Sequence, residues 1–152
     1  MINMLRKSAL FLISSLLLAA CVPAVGSLQP PVIVYGQDLC DGCGMIIDDA
    51  RFAAALILEN GETRKFDDLA EMFAYAAEHP QEEVKAWFAH DYESEAWVNA
   101  VSAFYLVGNG LATPMGSGLI AFETRQSALT YASEGNAEVL SFEQVKSLNQ
   151  SN

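Results

Sequence analysis

Cys40, Cys43 and Met45 place two thiols and a thioether within the six residues Cys40-Asp41-Gly42-Cys43-Gly44-Met45. Thiolate and thioether sulfurs are soft donors, and soft donors favour Cu(I) over hard cations. A Cys-x-x-Cys alone fits redox chemistry or half of a zinc site. The methionine two residues after Cys43 moves the chemistry toward copper, and the glycines allow a tight backbone fold around the sulfurs. Packing competes with ligation for Met45, because it opens the apolar run Met45-Ile46-Ile47. Cys40 is either a further sulfur donor or a disulfide partner of Cys43.

A second candidate lies in Thr113-Pro114-Met115-Gly116-Ser117-Gly118. Proline fixes the backbone before the methionine, and the glycines let the chain pass close to another surface, so Met115 is a candidate ligand from a distant loop. His90, in Ala89-His90-Asp91-Tyr92, is a weaker candidate imidazole ligand, with Asp91 as its orienting partner. His79, before Pro80, reads as a favourable charge at a helix end. Asp67 and Asp68 read as helix caps, and Trp87 and Trp97 as core or interface aromatics.

Enzymatic readings have little to stand on. No Ser-His-Asp order has supporting motif context, and neither a phosphate-cradling glycine loop nor a His-Glu-x-x-His is present. A thioredoxin-type enzyme needs its Cys-x-x-Cys at a helix N-terminus, where the dipole lowers a thiol pKa. Here Ile46-Ile47-Asp48-Asp49 follows, which is a poor helix start. A closed structural zinc site needs four ligands, and only two cysteines are free for it.

The elements that must position these residues read as α+β, two related ββαβ units packed together. In the first, Phe52 to Leu58 is a strand, Asn60-Gly61 a hairpin turn and Thr63 to Phe66 the return strand. Asp67 then caps a helix with an acidic first turn, whose apolar residues Leu69, Met72, Phe73, Ala76 and Ala77 follow helical spacing. Val84 to Ala89 is the next strand. In the second unit, Phe104 to Val107 and Leu119 to Phe122 are strands flanking a glycine-rich loop. Thr124 caps a helix that Gly135 ends. Val139 and Leu140 form a short strand, and Ser141-x-x-Gln144 opens a last helical turn. At one constant offset Phe66, Phe73, Tyr75 and Ala76 match Phe122, Leu129, Tyr131 and Ala132, the pattern of an internal duplication.

The N-terminal region addresses the chain to a membrane. Arg6 and Lys7 precede an apolar run from Ser8 to Ala20, too short to span comfortably, which ends in the lipobox-like Leu18-Ala19-Ala20-Cys21. Residues 1–20 are thus expected to be a lipoprotein signal, with Cys21 lipidated and residues 21–31 a tether. The first unit then spans 32–100 and the second 101–152. Lipidation of Cys21 accounts for the odd total of three cysteines. Removing Met1 to Ala20 takes away two of eight basic residues and no acidic one, moving the net charge from −11 to −13. That surface repels nucleic acid and anionic lipid alike, so neither is expected as a partner.

With the order Cys43-Gly44-Met45, Phe66-Asp67-Asp68 with Met72, Ala89-His90-Asp91-Tyr92, Trp97 and Pro114-Met115-Gly116-Ser117-Gly118, the mature chain resembles the NosL family of copper-chaperone lipoproteins. The resemblance implies a pair of ββαβ units and one Cu(I) per chain, with Cys43, Met45 and Met115 as matching ligand positions and His90 as a weaker one. It also implies a non-enzymatic role on the periplasmic side of a bacterial membrane. That role is delivery of copper to nitrous oxide reductase, through an ABC-transporter complex that helps build the copper–sulfide centre. Two other classes fit parts of the sequence: an exported thiol–disulfide oxidoreductase using Cys40 and Cys43, and a metal-free lipoprotein adaptor.

Overall fold

Asn60-Gly61 reverses the chain as its residue types require. Gly61 takes a positive φ of 87°, Asn60 Oδ1 accepts from the Glu62 N–H, and Leu58 and Glu62 close the hairpin at 2.8 Å. It joins β1 (Ala54–Leu58) to β2 (Thr63–Phe66). The computed structural model describes residues 28–108, 110–135 and 137–150, so the expected signal segment and Cys21, the expected lipidation site, lie outside the described residues. Helix α1 (Leu69–Glu78) follows, then β3 (Val84–His90), β4 (Trp97–Asn99) and a 3-10 turn (Ala100–Ser102). The second half holds β5 (Phe104–Val107), β6 (Leu119–Phe122), α2 (Arg125–Gly135), β7 (Glu138–Ser141) and α3 (Phe142–Gln150). Among the described residues no helix is long and apolar enough to cross a membrane.

The fold is α+β, with two antiparallel sheets of order β2-β1-β3-β4 and β6-β5-β7. In each, the first strand is flanked by its hairpin partner and by the strand that follows the helix. Phe66 and Phe122 occupy matching places, each opposite the first residue of the leading strand, Ala54 and Phe104. The first sheet carries one strand more than the ββαβ reading, because β4 pairs with β3 from Phe88↔Asn99 to His90↔Trp97. The first strand also starts later than expected. Phe52 lies in a turn and packs with Leu106, Ile120, Phe122 and Ala128 of the second half.

Apolar burial ties the halves into one body. Phe73 of α1 meets Tyr105 of β5 at 5.9 Å and Phe142 of α3 at 5.4 Å, and Phe142 also meets Trp87 at 5.2 Å. A charged clasp closes the seam. Asp91, just past β3, accepts from the Glu123 N–H at 2.8 Å with Oδ2, and from the N–H and hydroxyl of Ser94 with Oδ1. The adjacent Tyr92 N–H donates to the Ala121 carbonyl, also at 2.8 Å.

Two helix starts follow from side-chain chemistry. Ser141 and Gln144 form the reciprocal capping box expected before α3, at 2.8 and 3.4 Å. Helix α1 is capped by Asp68, whose Oδ1 accepts from the Ala70 N–H at 2.9 Å, and not by Asp67. The one-residue difference frees Asp67 for another task.

Candidate metal centre

The sulfur segment is a small hairpin laid along the edge of β2. Leu39 bridges Ile46, the Cys40 N–H donates to the Met45 carbonyl at 2.8 Å, and the Gly44 N–H donates to the Cys40 carbonyl at 2.9 Å. Gly44 turns the chain with φ +75°, a left-handed conformation that costs other residues about 1–2 kcal/mol. Lys65 of β2 pins this hairpin. Its N–H donates to Asp41 Oδ2 at 2.6 Å, its carbonyl accepts from the Asp41 N–H at 2.8 Å, and its ammonium pairs with Asp38 at 2.7 Å. The Lys65 hydrogen bond, with help from the Val34 N–H, holds the Asp38 carboxyl below its ordinary range. Completely buried Ile47 plugs the hairpin's return strand into the core.

Docking the hairpin on β2 brings it over the N-terminus of α1. There Cys40 Sγ, Cys43 Sγ and a Glu71 carboxylate oxygen lie within 4.8 Å of one another. Both cysteines are free thiols, Cys40 buried and Cys43 exposed. Cys43 Sγ donates to Asp67 Oδ1 at 3.5 Å, while Asp67 Oδ2 is buried with no hydrogen-bond partner. Gly42 makes this approach possible, because a Cβ there would collide with Glu71 Oε2 and stand 3.7 Å from Cys40 Sγ. Burial pushes the Cys40 thiol up to about 12, and the Asp67 carboxylate adds to the rise against several backbone N–H groups. Burial also raises the Glu71 carboxyl, reinforced by Asp67, Asp68 and Glu78. Beside the cluster opens a polar hollow of about 520 Å³, lined by Asp41, Glu71, Tyr75, Glu78 and His79.

Asp68 reaches the other half of the molecule. Its Oδ2 accepts from the Met115 N–H at 3.0 Å and its Oδ1 from the Ser117 hydroxyl at 2.8 Å. Cys43 and the Met115 backbone therefore hang on consecutive carboxylates. Gly118 threads this loop past Gly108, whose carbonyl leaves no room for a Cβ. Met45 and Met115 are 48% and 44% exposed, whereas Met72 is wholly buried. Exposed thioethers are unusual placements for a side chain that normally fills cores.

The residues expected from sequence divide clearly. Cys40 and Cys43 come together, and the Met115 loop is tied to the same helix start. His90 is elsewhere engaged: its Nδ1–H donates to the Ala53 carbonyl at 2.9 Å, and its Nε2 takes a hydrogen bond from the Tyr35 hydroxyl at 3.1 Å. Burial lowers its pKa, so the neutral ring packs on Trp97 with centroids 3.7 Å apart. Its place in the fold is a strut that fastens the lead-in to the hairpin onto β3. His79 stands at the end of α1, its Nδ1–H donating to the Tyr75 carbonyl at 2.8 Å. Glu71 and the partnerless oxygen of Asp67 were not anticipated. The available signal was Phe66-Asp67-Asp68-x-x-Glu71, which reads as ordinary acidic helix-start chemistry.

Comparison with known proteins shows what the chain is similar to. The chain is 31% identical over 124 residues to the copper-binding lipoprotein NosL of Stutzerimonas stutzeri, an alignment covering 76% of this chain. It spans 65% of that protein's length. The crystal structure of the copper chaperone NosL from Shewanella denitrificans superposes with a TM-score of 0.67, over 78% of this chain and 96% of that one. At 19% identity this establishes a common fold. Residues 31–149, holding both the sulfur hairpin and the Met115 loop, match the NosL family model, and the chain belongs to that family.

Proposed function

We propose that this chain is a lipid-anchored Cu(I) carrier that binds one ion per molecule and hands it to an exported copper enzyme. The observation that carries the reading is the convergence of two free thiols on the start of α1, with the exposed Met115 held to the same start by Asp68. Cys43, Met45 and Met115 are the proposed sulfur ligands, with Cys40 as a further donor; His90 keeps its structural hydrogen bonds. The donor set fits a soft monovalent ion, which displaces thiol protons on binding. Surrounding carboxylates of Asp67 and Glu71 add negative charge that favours a cation. Copper is cargo here, so the chain's task is to hold it and release it. Ligands drawn from two exposed loops leave an approach for an incoming sulfur, which permits transfer by ligand exchange.

Lipidation of Cys21 confines that exchange to the surface of the membrane and raises effective concentration toward membrane-bound partners. The acceptor consistent with the family is nitrous oxide reductase, through its ABC-transporter assembly complex. Placement on the periplasmic side follows from the lipoprotein signal. The oxidoreductase alternative is the weaker reading. Its Cys-x-x-Cys lies in a hairpin and not within the first turn of a helix, where a dipole lowers a thiol pKa.

The test is anaerobic Cu(I) titration of the reduced 22–152 fragment against a competing chelator, beside Cys43→Ala. Binding near one equivalent, weakened at least roughly 100-fold in the variant, is the expected result, since a thiolate ligand is worth several kcal/mol. Unchanged high-affinity binding in Cys43→Ala would refute the site.

A further inference from the structure

On the outer side of β3 and β4, away from the sulfur hairpin's contacts with β2, a groove of about 460 Å³ is lined by Leu28, Pro30, Trp87, Phe88, Trp97 and Val101. Leu28 and Val101 are 44% and 54% exposed. Phe88 is 7% exposed and meets Trp97 edge-on with ring centroids 6.3 Å apart. Lys85, which faces Glu59 at 4.0 Å, is the one ionisable residue among the described lining, so no acidic residue lines the groove and one stands at its margin. An apolar surface lined by no acid on so acidic a protein is a place where approach to anionic headgroups meets the least repulsion.

The chain's own length decides what meets this surface. Leu28 is seven residues from Cys21, a reach of at most roughly 23 Å at about 3.3 Å per residue. Leu28, itself part of the groove lining, therefore stays within that distance of any membrane that holds the lipid. Tryptophan suits that position, with an apolar ring and a polar N–H for the boundary between acyl chains and headgroups.

We propose that this groove seats the domain on the bilayer carrying its anchor, with Trp97, Val101 and Leu28 entering the headgroup boundary. The seat rests on the reading that Cys21 is lipidated. It fixes one orientation of the domain at the membrane, so the sulfur hairpin meets membrane-bound partners from a single direction.

Trp87 and Trp97 are the only tryptophans in the chain; Trp87 also stacks on Phe73 and meets Phe142 in the core, so the groove is read from Trp97 emission in a Trp87→Phe background. The full-length lipidated protein is reconstituted in phosphatidylethanolamine–phosphatidylglycerol vesicles with brominated or ordinary acyl chains. The expected result is a blue-shifted emission and at least ~2-fold quenching by brominated lipid, both strongly reduced in the exposed-site variants Leu28→Glu and Val101→Glu. Equal emission and equal acrylamide quenching in lipidated protein and soluble 22–152 fragment would overturn the seat. Protection from acrylamide without quenching by bromine also overturns it, because another protein surface then covers the groove. Mass spectrometry of the N-terminal peptide separates the two ideas. If no acyl group is found, the anchor is wrong, and the fragment held by an N-terminal His tag on nickel-chelating lipid decides the seat by the same quenching.

Discussion

Asp67 and Asp68 are adjacent in sequence and both almost fully buried, yet their carboxylates serve different partners. Asp67 faces the thiol of Cys43 with one oxygen and leaves the other without a hydrogen bond. Asp68 caps α1 and holds the Met115 loop from the opposite half of the chain. Loss of the charged acceptor weakens hydrogen bonds that are each worth about 1.5–3 kcal/mol. Asp68→Asn keeps one carbonyl oxygen for the cap but cannot serve Ala70, Met115 and Ser117 as an anion does. Cu(I) affinity is expected to fall about 10-fold or more while Cys43 stays intact, and Ser117→Ala, which removes one bond, should show a smaller loss. A chelator competition measures both, with sulfur coordination number from X-ray absorption as the readout a general loosening would not mimic. Full affinity in Asp68→Asn would mean the loop is held by other contacts. The capping chemistry here was legible in sequence to within one residue. Which aspartate caps is decided by the angle at which the chain leaves β2, and only that angle turns Asp67 toward the sulfurs.

At the scale of elements, the site exists because a hairpin is bolted to a sheet edge. Neither Cys40 nor Cys43 could have been paired with Glu71 from the chain alone, since the approach depends on Lys65 gripping Asp38 and Asp41. The sulfur motif was legible because cysteine and methionine are scarce and their chemistry is local; Glu71 was not, because a helix-start acid has an ordinary explanation. Apolar runs bounded by turn residues, and the helical spacing of Leu69 to Ala77, likewise announced β1 to β3, α1 and β5 to β7, whereas the three residues of β4 form a strand only through the edge of β3. The hairpin's weakest commitment is its turn. Gly44→Ala forces a Cβ into a left-handed conformation at a cost of about 1 kcal/mol, with open space around it and so no collision to add. The expected outcome is faster amide exchange at Cys40 and Ile47, whose N–H groups close the hairpin, with lowered Cu(I) affinity and little change in global stability. Unaltered exchange at those two amides would show that docking on β2 alone fixes the turn.

For the whole molecule, two sheets of like topology are fastened by a shared apolar core and by Asp91. The core joins Phe73 and Trp87 of the first half to Tyr105 and Phe142 of the second, and Phe52 of the first half enters the second half's own cluster of Leu106, Ile120, Phe122 and Ala128. They should unfold in one transition, with tryptophan fluorescence and far-ultraviolet circular dichroism coinciding. Asp91 is 5% exposed and accepts three hydrogen bonds, one of them across the seam to Glu123. Burial would raise its pKa, but the Glu123 and Ser94 donors outweigh burial and the carboxyl is held below its ordinary range. A carboxyl lowered in the folded state stabilises the fold above its unfolded pKa, near 3.9, and that contribution is lost as pH falls through the lower folded value. Asp91→Asn is therefore expected to cost about 2–3 kcal/mol at neutral pH, from weakened charge-assisted bonds at the seam. Because asparagine does not titrate, the gap between wild type and variant in urea midpoint should narrow steadily below about pH 4. A gap that stays constant down to pH 3 would mean the clasp works through shape and neutral hydrogen bonding. Two separated transitions in the variant would mean instead that Asp91, and not the shared aromatic core, is what makes the halves one cooperative unit.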